Sequence, residues 1–268
     1  MTDTEEKNMS FLSHLEELRW RLFRIAILVI IFAVCIFIFT EPLLDSLYIS
    51  MSHSDFITYQ FFCKTGDLLG LEDELCATEI KLNLQSITPT AQFSTQLLFS
   101  IVGGIIAAFP YIAWNIWHFV KPALKSNEQK ASRGFVIYAS LLFVLGILFG
   151  YYIIAPLCVQ FFGNWSMSDE ITNNFTITSY MSIITTTTFF TGLLFELPIL
   201  VYILSKIGLL SPEFLRKYRK HAFVLVLILA AIITPPDLFS QIIVAIPIAI
   251  LYEISIIVSN RVRKSSSK

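Results

Sequence analysis

The ten residues Thr191-Gly-Leu-Leu-Phe-Glu-Leu-Pro-Ile-Leu200 place a single carboxylate inside a long apolar stretch. Glu196 is the only charged residue between Glu170 and Lys206, and that interval is long enough to cross a bilayer. A carboxylate that faces lipid is costly, so such residues usually face a cavity, a groove or a partner. Pro198 lacks a backbone donor and interrupts helical hydrogen bonding near the same depth. The stretch therefore predicts an interrupted transmembrane helix that carries one functional carboxylate.

The composition of the whole chain fits the same interpretation. Of the 268 residues 55% are hydrophobic, and 15% are charged, against about 25% in a typical soluble domain. The mean hydropathy is +0.70. The first apolar run begins near Leu22 and is followed by no small-residue cleavage site, so a cleavable signal peptide is not expected. The sequence predicts an all-α, polytopic membrane protein.

Apolar runs predict six transmembrane helices with the fifth and sixth short: residues 22–39, 97–120, 135–157, 180–204, 222–233 and 242–258. The segments that would share one side of the membrane carry 17 of the 19 Lys and Arg residues, which places both termini in the cytoplasm. Twelve apolar residues in the fifth run make roughly 18 Å of helix, short of a hydrocarbon core of about 30 Å. A re-entrant hairpin therefore stays open as an alternative. Two short spans are favoured, because Asp237, Ser240 and Gln241 suit the far surface better than mid-membrane.

The polar segments complete a single membrane domain over residues 1–268. Residues 1–21 form a cytoplasmic head whose apolar residues recur at helical spacing, which indicates an amphipathic helix lying on the membrane and running into the first span. Residues 41–95 form a long outside loop, and residues 260–268 a basic tail. Cys63 and Cys76 lie in that loop, where a disulfide and two free thiols are equally plausible. No metal site is expected there.

Four separated segments resemble one family. They are Ser13-His-Leu-Glu-Glu-Leu-Arg19, residues 110–128 with Phe119-Val-Lys-Pro-Ala-Leu-Lys-Ser-Asn-Glu128, Phe195-Glu-Leu-Pro198 and Thr234-Pro-Pro-Asp-Leu-Phe-Ser-Gln241. In this order, over about residues 10–260, they resemble TatC, the polytopic core subunit of the twin-arginine protein translocase. Residues 50–82, with both loop cysteines, look like an insertion relative to the family pattern, so nothing is carried over to them.

The resemblance implies a function in protein export. A TatC-like protein binds the twin-arginine signal peptides of folded cargo proteins at the cytoplasmic face. It assembles with TatA-like and TatB-like single-span subunits into a multimeric complex, driven by the protonmotive force. It is a multi-pass protein of the cell inner membrane. The resemblance implies no enzymatic activity, no cofactor and no nucleic-acid partner.

Position matching to the family assigns signal-peptide binding to two cytoplasmic carboxylates, Glu17 and Glu128, with Arg19 and Phe119 beside them. Two guanidinium groups need carboxylates in a fixed, partly desolvated place. Arg19 is expected to orient Glu17 or to contact lipid headgroups. The alternative is structural: Glu17 would pair with Arg21 one helical turn away, and Glu128 would be a solvated loop charge paired with a nearby lysine.

Glu196 has three interpretations. It pairs internally with Gln92, Gln96 or the threonines at 185–188, it binds an ion or a proton, or it receives a polar group from the transmembrane helix of a partner. The resemblance and the short final spans favour partner docking. Structural or assembly roles are expected for a further group of residues: Pro110, Pro122, Pro198, Pro235, Pro236, Asp237 and Gln241.

Two other classes of protein compete with a translocase. A proton-coupled secondary transporter would use Glu196 in its substrate or ion site, but that class is usually built from inverted repeats, and the pattern around Glu196 has no counterpart in the first three spans. An intramembrane hydrolase needs paired aspartates or a Ser/His pair within the spans, and the sequence offers neither there.

Overall fold

The computed structural model describes residues 11–53, 55–69, 84–121, 134–168, 174–233 and 238–266. Within these ranges the chain is helical, and its β pairing is limited to an isolated parallel bridge between Gln85 and Thr176. Five helical stretches of the described chain are long and apolar enough to cross a membrane. The prediction of an all-α polytopic membrane protein is confirmed.

The described ranges contain eleven α-helices. They are α1 Phe11–Ile38, α2 Thr40–Leu47, α3 Ile57–Leu69, α4 Ala91–Val120, α5 Phe135–Phe149, α6 Ala155–Asn164, α7 Ile177–Phe195, α8 Leu197–Lys206, α9 Pro212–Lys217, α10 Arg219–Ile233 and α11 Leu238–Ser266. A 3₁₀ turn, Ile49–Ser52, follows α2, and a π-helical segment, Gly150–Ile154, joins α5 to α6. The third predicted span is thus one stretch over residues 135–164, and the fourth runs over residues 177–206.

The head and the first span form one helix. The sequence predicted a head helix lying on the membrane surface, whereas α1 runs without a break over 28 residues. Neither proline nor glycine occurs between Phe11 and Ile38, so nothing in this stretch ends the helix. At 1.5 Å per residue α1 is about 42 Å long, more than the hydrocarbon core of about 30 Å. The described part of the head therefore continues along the axis of the span.

The last two predicted spans differ from each other in length. α10 has 15 residues, which make about 22 Å of helix, and it is not among the five long apolar stretches. The expectation that it crosses the membrane remains a prediction. α11 has 29 residues and continues through Pro247, and its apolar stretch covers residues 241–264. The last span is therefore longer than residues 242–258, because Pro247 does not end the helix.

Part of the predicted outside loop is folded. Residues 40–69, which we call the cap, contain α2, the 3₁₀ turn and α3. Two tyrosine hydroxyls fasten the cap to α7: Tyr180 donates to the carbonyl of Tyr48 at 2.7 Å, and the Tyr48 hydroxyl bonds the Thr185 hydroxyl at 2.6 Å. Met51 is fully buried beneath them. Burial raises the pKa of Tyr48 well above its usual range.

The cap also contacts the π-helical segment. Thr58 donates a hydrogen bond from its hydroxyl to the carbonyl of Tyr152. The Tyr151 hydroxyl donates to the carbonyl of Leu47 at 2.8 Å. A π turn shifts the helical register by one residue and leaves a backbone group in need of a partner. The cap supplies one such partner.

Close helix pairs depend on glycine. α1 packs along α4, α5 along α7, and α8 along α11. A Cβ atom on Gly104 would lie 2.8 Å from the carbonyl oxygen of Val29, and one on Gly146 would lie 2.8 Å from the Cα of Gly192. These contacts confirm that the Gly103-Gly104 pair serves close packing, as expected for membrane helices.

Candidate functional site

A single ion pair dominates the described part of the head. Glu17 and Arg21 lie one turn apart on α1, and the carboxylate Oε1 accepts hydrogen bonds from Nη2 of Arg21 at 2.5 Å and from Nε at 3.0 Å. The side chains are 30% and 20% exposed, respectively. Partial burial strengthens an interaction that solvent would otherwise screen. The Glu17–Arg21 pair, which the sequence offered as the structural alternative for Glu17, is therefore present in the structure.

Arg19 contacts a different carboxylate from Arg21. Its nearest carboxylate in the described chain is that of Glu16, at 3.7 Å, and both side chains are mostly exposed. The guanidinium of Arg19 lies 5.7 Å from the centre of the Trp20 ring. Arg21 therefore orients Glu17, and the expected contact of Arg19 with lipid headgroups stays a prediction. The signal for this pair was present in the sequence, because an acidic residue four positions before a basic one is the favourable helical order.

A hollow of about 560 Å³ opens beside the Glu17–Arg21 pair. Among the described residues, four that share one face of α1 line it: Glu17, Trp20, Arg21 and Arg24. The hollow thus combines one carboxylate, two guanidinium groups and one indole face. It offers room for a cationic ligand next to the carboxylate, and the indole face can hold a cation by a cation–π contact.

Phe119 lies at the same level of the membrane as the head. α1 and α4 run antiparallel, because Gly104 approaches Val29 and Ala33 while Gln96 bonds the carbonyl of Phe37. Equal rises of 1.5 Å per residue from that contact bring Phe119 to roughly the level of Glu17. Phe119 is half-buried in the last turn of α4. Pro122 and Glu128 lie outside the described residues, so their positions stay predictions.

Glu196 sits at a break between two helices. It is the single residue between the end of α7 and the start of α8, with φ −76° and ψ −6°. Its backbone carbonyl accepts from the amides of Ile199 at 3.0 Å and Leu200 at 2.9 Å. Pro198 occupies the first turn of α8, where its missing donor costs little. The predicted interruption of this span is confirmed.

The carboxylate of Glu196 is half-buried, and one of its oxygens lacks a partner in the part of the chain that the structure describes. Its Oε1 atom is shielded from solvent and has no hydrogen-bond partner among the described residues. Gln96, one expected partner, instead bonds the carbonyl of Phe37 and the hydroxyl of Thr40. Thr185 bonds Tyr48. The described contacts therefore give no support to an internal pair for Glu196.

Gln241 fastens the last two helices to each other. Its amide donates to the carbonyl of Leu227 at 3.1 Å, which joins α11 to α10. Pro110 lies inside α4. The other expected structural residues of this turn, Pro235, Pro236 and Asp237, lie outside the described residues. An assembly role for Gln241 stays a prediction.

Two ion pairs that the sequence did not predict hold α11 at its cationic end. Arg219, at the start of α10, contacts the carboxylate of Glu253 at 2.5 Å. Glu213 on α9 accepts from Arg263 near the end of α11. The pairs connect residues far apart in sequence, so helix periodicity gave no signal for them.

The cysteines divide into two kinds. Cys63 is disulfide-bonded, whereas Cys35 and Cys158 are thiols outside any disulfide. Cys76, the expected partner of Cys63, lies outside the described residues. The described part of the chain contains no group of three or more His, Cys, Asp or Glu side chains that could hold a metal ion.

Fold and site define the class of this protein: a multi-pass membrane protein with an ion-paired head helix and, among the described residues, a shielded carboxylate oxygen without a hydrogen-bond partner at a helix break. The family described as Sec-independent protein translocase protein (TatC) matches residues 13–247. The chain belongs to the TatC family and is a component of the twin-arginine protein translocase.

Individual relatives agree along almost the whole chain. TatC of Blattabacterium sp. subsp. Periplaneta americana is 38% identical over 261 residues, covering 97% of this chain and 98% of the relative. TatCy of Bacillus subtilis is 32% identical over 268 residues, covering 100% and 95%. A crystal structure titled as the twin arginine translocase receptor TatC superposes with a TM-score of 0.68 at 29% identity, covering 93% of this chain and 99% of that one.

Proposed function

We propose that the head of α1 and the end of α4 bind twin-arginine signal peptides on the cytoplasmic side. The observation that supports this site is the Glu17 carboxylate, which is partly buried, holds a guanidinium in two hydrogen bonds and adjoins an open hollow. Charge-assisted bonds from arginine to a fixed carboxylate are strong and geometrically specific. Glu128 and Phe119 complete the proposed site, and Arg19 borders it near the lipid headgroups.

The proposed orientation follows from charge. The head, the segment after α4, the α8–α10 connection and the C-terminal tail together hold 17 of the 19 Lys and Arg residues, and such segments stay in the cytoplasm. Both termini then lie in the cytoplasm, the cap lies on the opposite side, and the protein resides in the cell inner membrane. α10 would be the fifth of six spans.

Signal-peptide binding is tested with purified full-length protein in lipid nanodiscs and a fluorescent twin-arginine peptide. Glu17→Gln should weaken binding of this peptide by about tenfold, the loss of one partly buried charged pair. Glu16→Gln is the matched control, because Glu16 is a neighbouring but exposed carboxylate, and it should bind like wild type. Glu128→Ala tests the second carboxylate in the same assay. Equal binding by wild type and Glu17→Gln would remove Glu17 from the site.

We further propose that Glu196 receives a polar group from the transmembrane helix of a TatA-like or TatB-like subunit. Two features support this: the interrupted backbone at Glu196 and the shielded Oε1 without a partner in the described chain. A carboxylate in this state gains most from a donor on another helix. The assembled complex would then move folded cargo proteins at the expense of the protonmotive force.

Partner docking is tested by a photocrosslinker at position 196, in membranes that contain the single-span subunits, with and without signal peptide. Adducts with those subunits that change on addition of signal peptide support docking. A crosslinker at Leu200, exposed one turn away, reports proximity that is unrelated to the carboxylate. Absence of adducts from position 196, together with solute flux in liposomes containing this protein alone, would favour the proton-coupled transporter instead.

A further inference from the structure

We propose that Arg21 is a built-in occupant of the Glu17 carboxylate, which a signal peptide must displace before it binds. The inference rests on the proposed function, since it concerns the same carboxylate. Its consequence is a threshold for the ligand: one arginine only replaces the guanidinium already present, and a second arginine is needed for a net gain. Arg21 would thus set the requirement for two arginines from within the receptor.

The geometry of the pair is that of a bound ligand. Arg21 uses two nitrogens, Nε and Nη2, at 3.0 and 2.5 Å from one carboxylate oxygen. An incoming arginine carries the same planar group with the same donors, so it competes for the same lone pairs. A lysine offers a point charge without the fork, and it competes less well for this position.

The neighbouring pair shows that this arrangement is particular to Glu17. Arg19 and Glu16 also lie one turn apart on α1, yet their charged atoms are 3.7 Å apart and the side chains are 72% and 65% exposed. Arg21 and Glu17 are 20% and 30% exposed and in direct contact. Exposed pairs of the first kind contribute little. Replacing Arg19 beside Glu16 by an incoming arginine therefore costs almost no free energy, whereas replacing Arg21 beside Glu17 has a measurable cost.

The charge of the hollow adds to the threshold. Among the described residues its lining carries one carboxylate, Glu17, and two guanidinium groups, Arg21 and Arg24, so these side chains are net positive. A lone cation entering the hollow meets repulsion from Arg24 and an occupied carboxylate. A ligand with two guanidinium groups can use one to replace Arg21 and the other for additional contacts, such as the face of Trp20.

The hollow also has space for Arg21 after displacement. Arg21 lines it together with Glu17, and the long arginine side chain can rotate toward the lipid headgroups while its stem stays on the helix. Only a side-chain movement is required, so the exchange needs no rearrangement of α1.

The test measures discrimination between peptides and not affinity alone. Fluorescent peptides with Arg-Arg, Arg-Lys and Lys-Lys at the motif are titrated onto the full-length protein in nanodiscs. Arg21→Gln should raise affinity for the Arg-Lys peptide by about fivefold and for the Arg-Arg peptide by about twofold, in the range expected for a partly buried charged pair. The ratio of the affinity for the Arg-Arg peptide to the affinity for the Arg-Lys peptide then becomes smaller. Arg263→Gln, which breaks an arginine–glutamate pair outside the proposed site, is the matched control and should leave the ratio of the two affinities unchanged.

Two further variants make the outcome decisive. Arg21→Lys keeps the charge but loses the fork, so it should narrow the ratio by less than Arg21→Gln does. When Glu17→Gln is already present, Arg21→Gln should not raise the affinity for either peptide, because no carboxylate remains at position 17 to be freed. Weaker binding of all peptides by Arg21→Gln, or an unchanged ratio, would overturn the inference and make Arg21 a residue that merely holds Glu17 in place.

Failure of the proposed function gives a different pattern. If wild type binds Arg-Arg and Lys-Lys peptides alike and Glu17→Gln binds as wild type does, the site itself is wrong, and the inference falls with it. If Glu17→Gln loses discrimination while Arg21→Gln keeps it, the site stands and only the displacement step is refuted.

Discussion

Replacing Glu196 with leucine should stabilise the isolated protein while it removes the proposed docking group. The Oε1 atom of Glu196 is shielded and has no hydrogen-bond partner in the described chain. A buried polar atom left unpaired costs about 1–3 kcal/mol, and an apolar side chain of similar length removes that cost. We therefore expect Glu196→Leu to raise the free energy of unfolding by about 1–2 kcal/mol. Export of a twin-arginine cargo should be lost in the same variant.

Two threonines one turn apart on α7 provide controls for the stability cost of a buried polar group without a partner. The hydroxyl of Thr188 is buried without a partner in the described chain, whereas that of Thr185 bonds the Tyr48 hydroxyl at 2.6 Å. The same change to valine should therefore have opposite signs. Thr188→Val should stabilise by about 1 kcal/mol, and Thr185→Val should destabilise by about 1–2 kcal/mol.

The assay is thermal unfolding in detergent, followed by a thiol-reactive dye. The thiol of Cys158 is buried, so it reacts only as the protein unfolds, and the exposed Cys35 is changed to serine in every sample. For a chain of this size about 1 kcal/mol shifts Tm by roughly 2–4 °C. A lower Tm for Glu196→Leu would refute the reasoning, because it would mean that the carboxylate already has an internal partner. Shifts of the same sign for both threonine variants would refute the calibration.

Three further outcomes follow from other contacts. Gly146→Val should destabilise the α5–α7 contact by at least about 2 kcal/mol, because even its Cβ would lie 2.8 Å from the Cα of Gly192; Tm in detergent measures this, and an unchanged Tm would contradict the packing. Tyr180→Phe removes a donor to the cap and should destabilise by about 1 kcal/mol; faster hydrogen exchange in residues 46–52 than in wild type is the expected sign. A hydrogen bond from its own backbone amide, with help from Arg263, lowers the pKa of Glu213. The contribution of ionised Glu213 to stability is thus complete above the ordinary carboxyl pKa of about 4.3, and it is lost as the pH falls through the lower pKa that Glu213 has in the folded protein. Hydrogen exchange at the end of α11 should become faster in that pH range, whereas Glu213→Gln should show no such change.

Local sequence patterns predicted the elements that depend on neighbouring residues. The Glu196-Leu-Pro198 order is enough to place a break in the fourth span, because proline removes a donor wherever it lies in a helix. The Glu17–Arg21 spacing is likewise local, and it was recognised as one of two possibilities. Gly103-Gly104 predicted a close contact, although not its partner on α1.

Contacts between distant residues could not be predicted in this way. The bond between Tyr48 and Thr185 joins positions 137 residues apart, and no periodicity relates them. The cap looked like a polar loop, because its helices are short and its buried aromatic residues, Tyr48, Phe56 and Tyr59, follow no regular spacing. The ion pair between Arg219 and Glu253 likewise joins two different helices, α10 and α11.

The π-helical turn at residues 150–154 divides the third span into two differently phased halves. One residue is worth about 100° of rotation in an α-helix, so an extra residue re-aims every side chain beyond it. The half before the turn presents Gly146 to α7, and the half beyond it buries Pro156 and Val159 below the cap. A single membrane-crossing rod thereby has two differently oriented faces, one matched to a neighbouring helix and one matched to the folded segment outside. Deleting one residue from the π-helical turn would restore regular α-helical geometry, but the two faces could then no longer meet α7 and the cap at the same time.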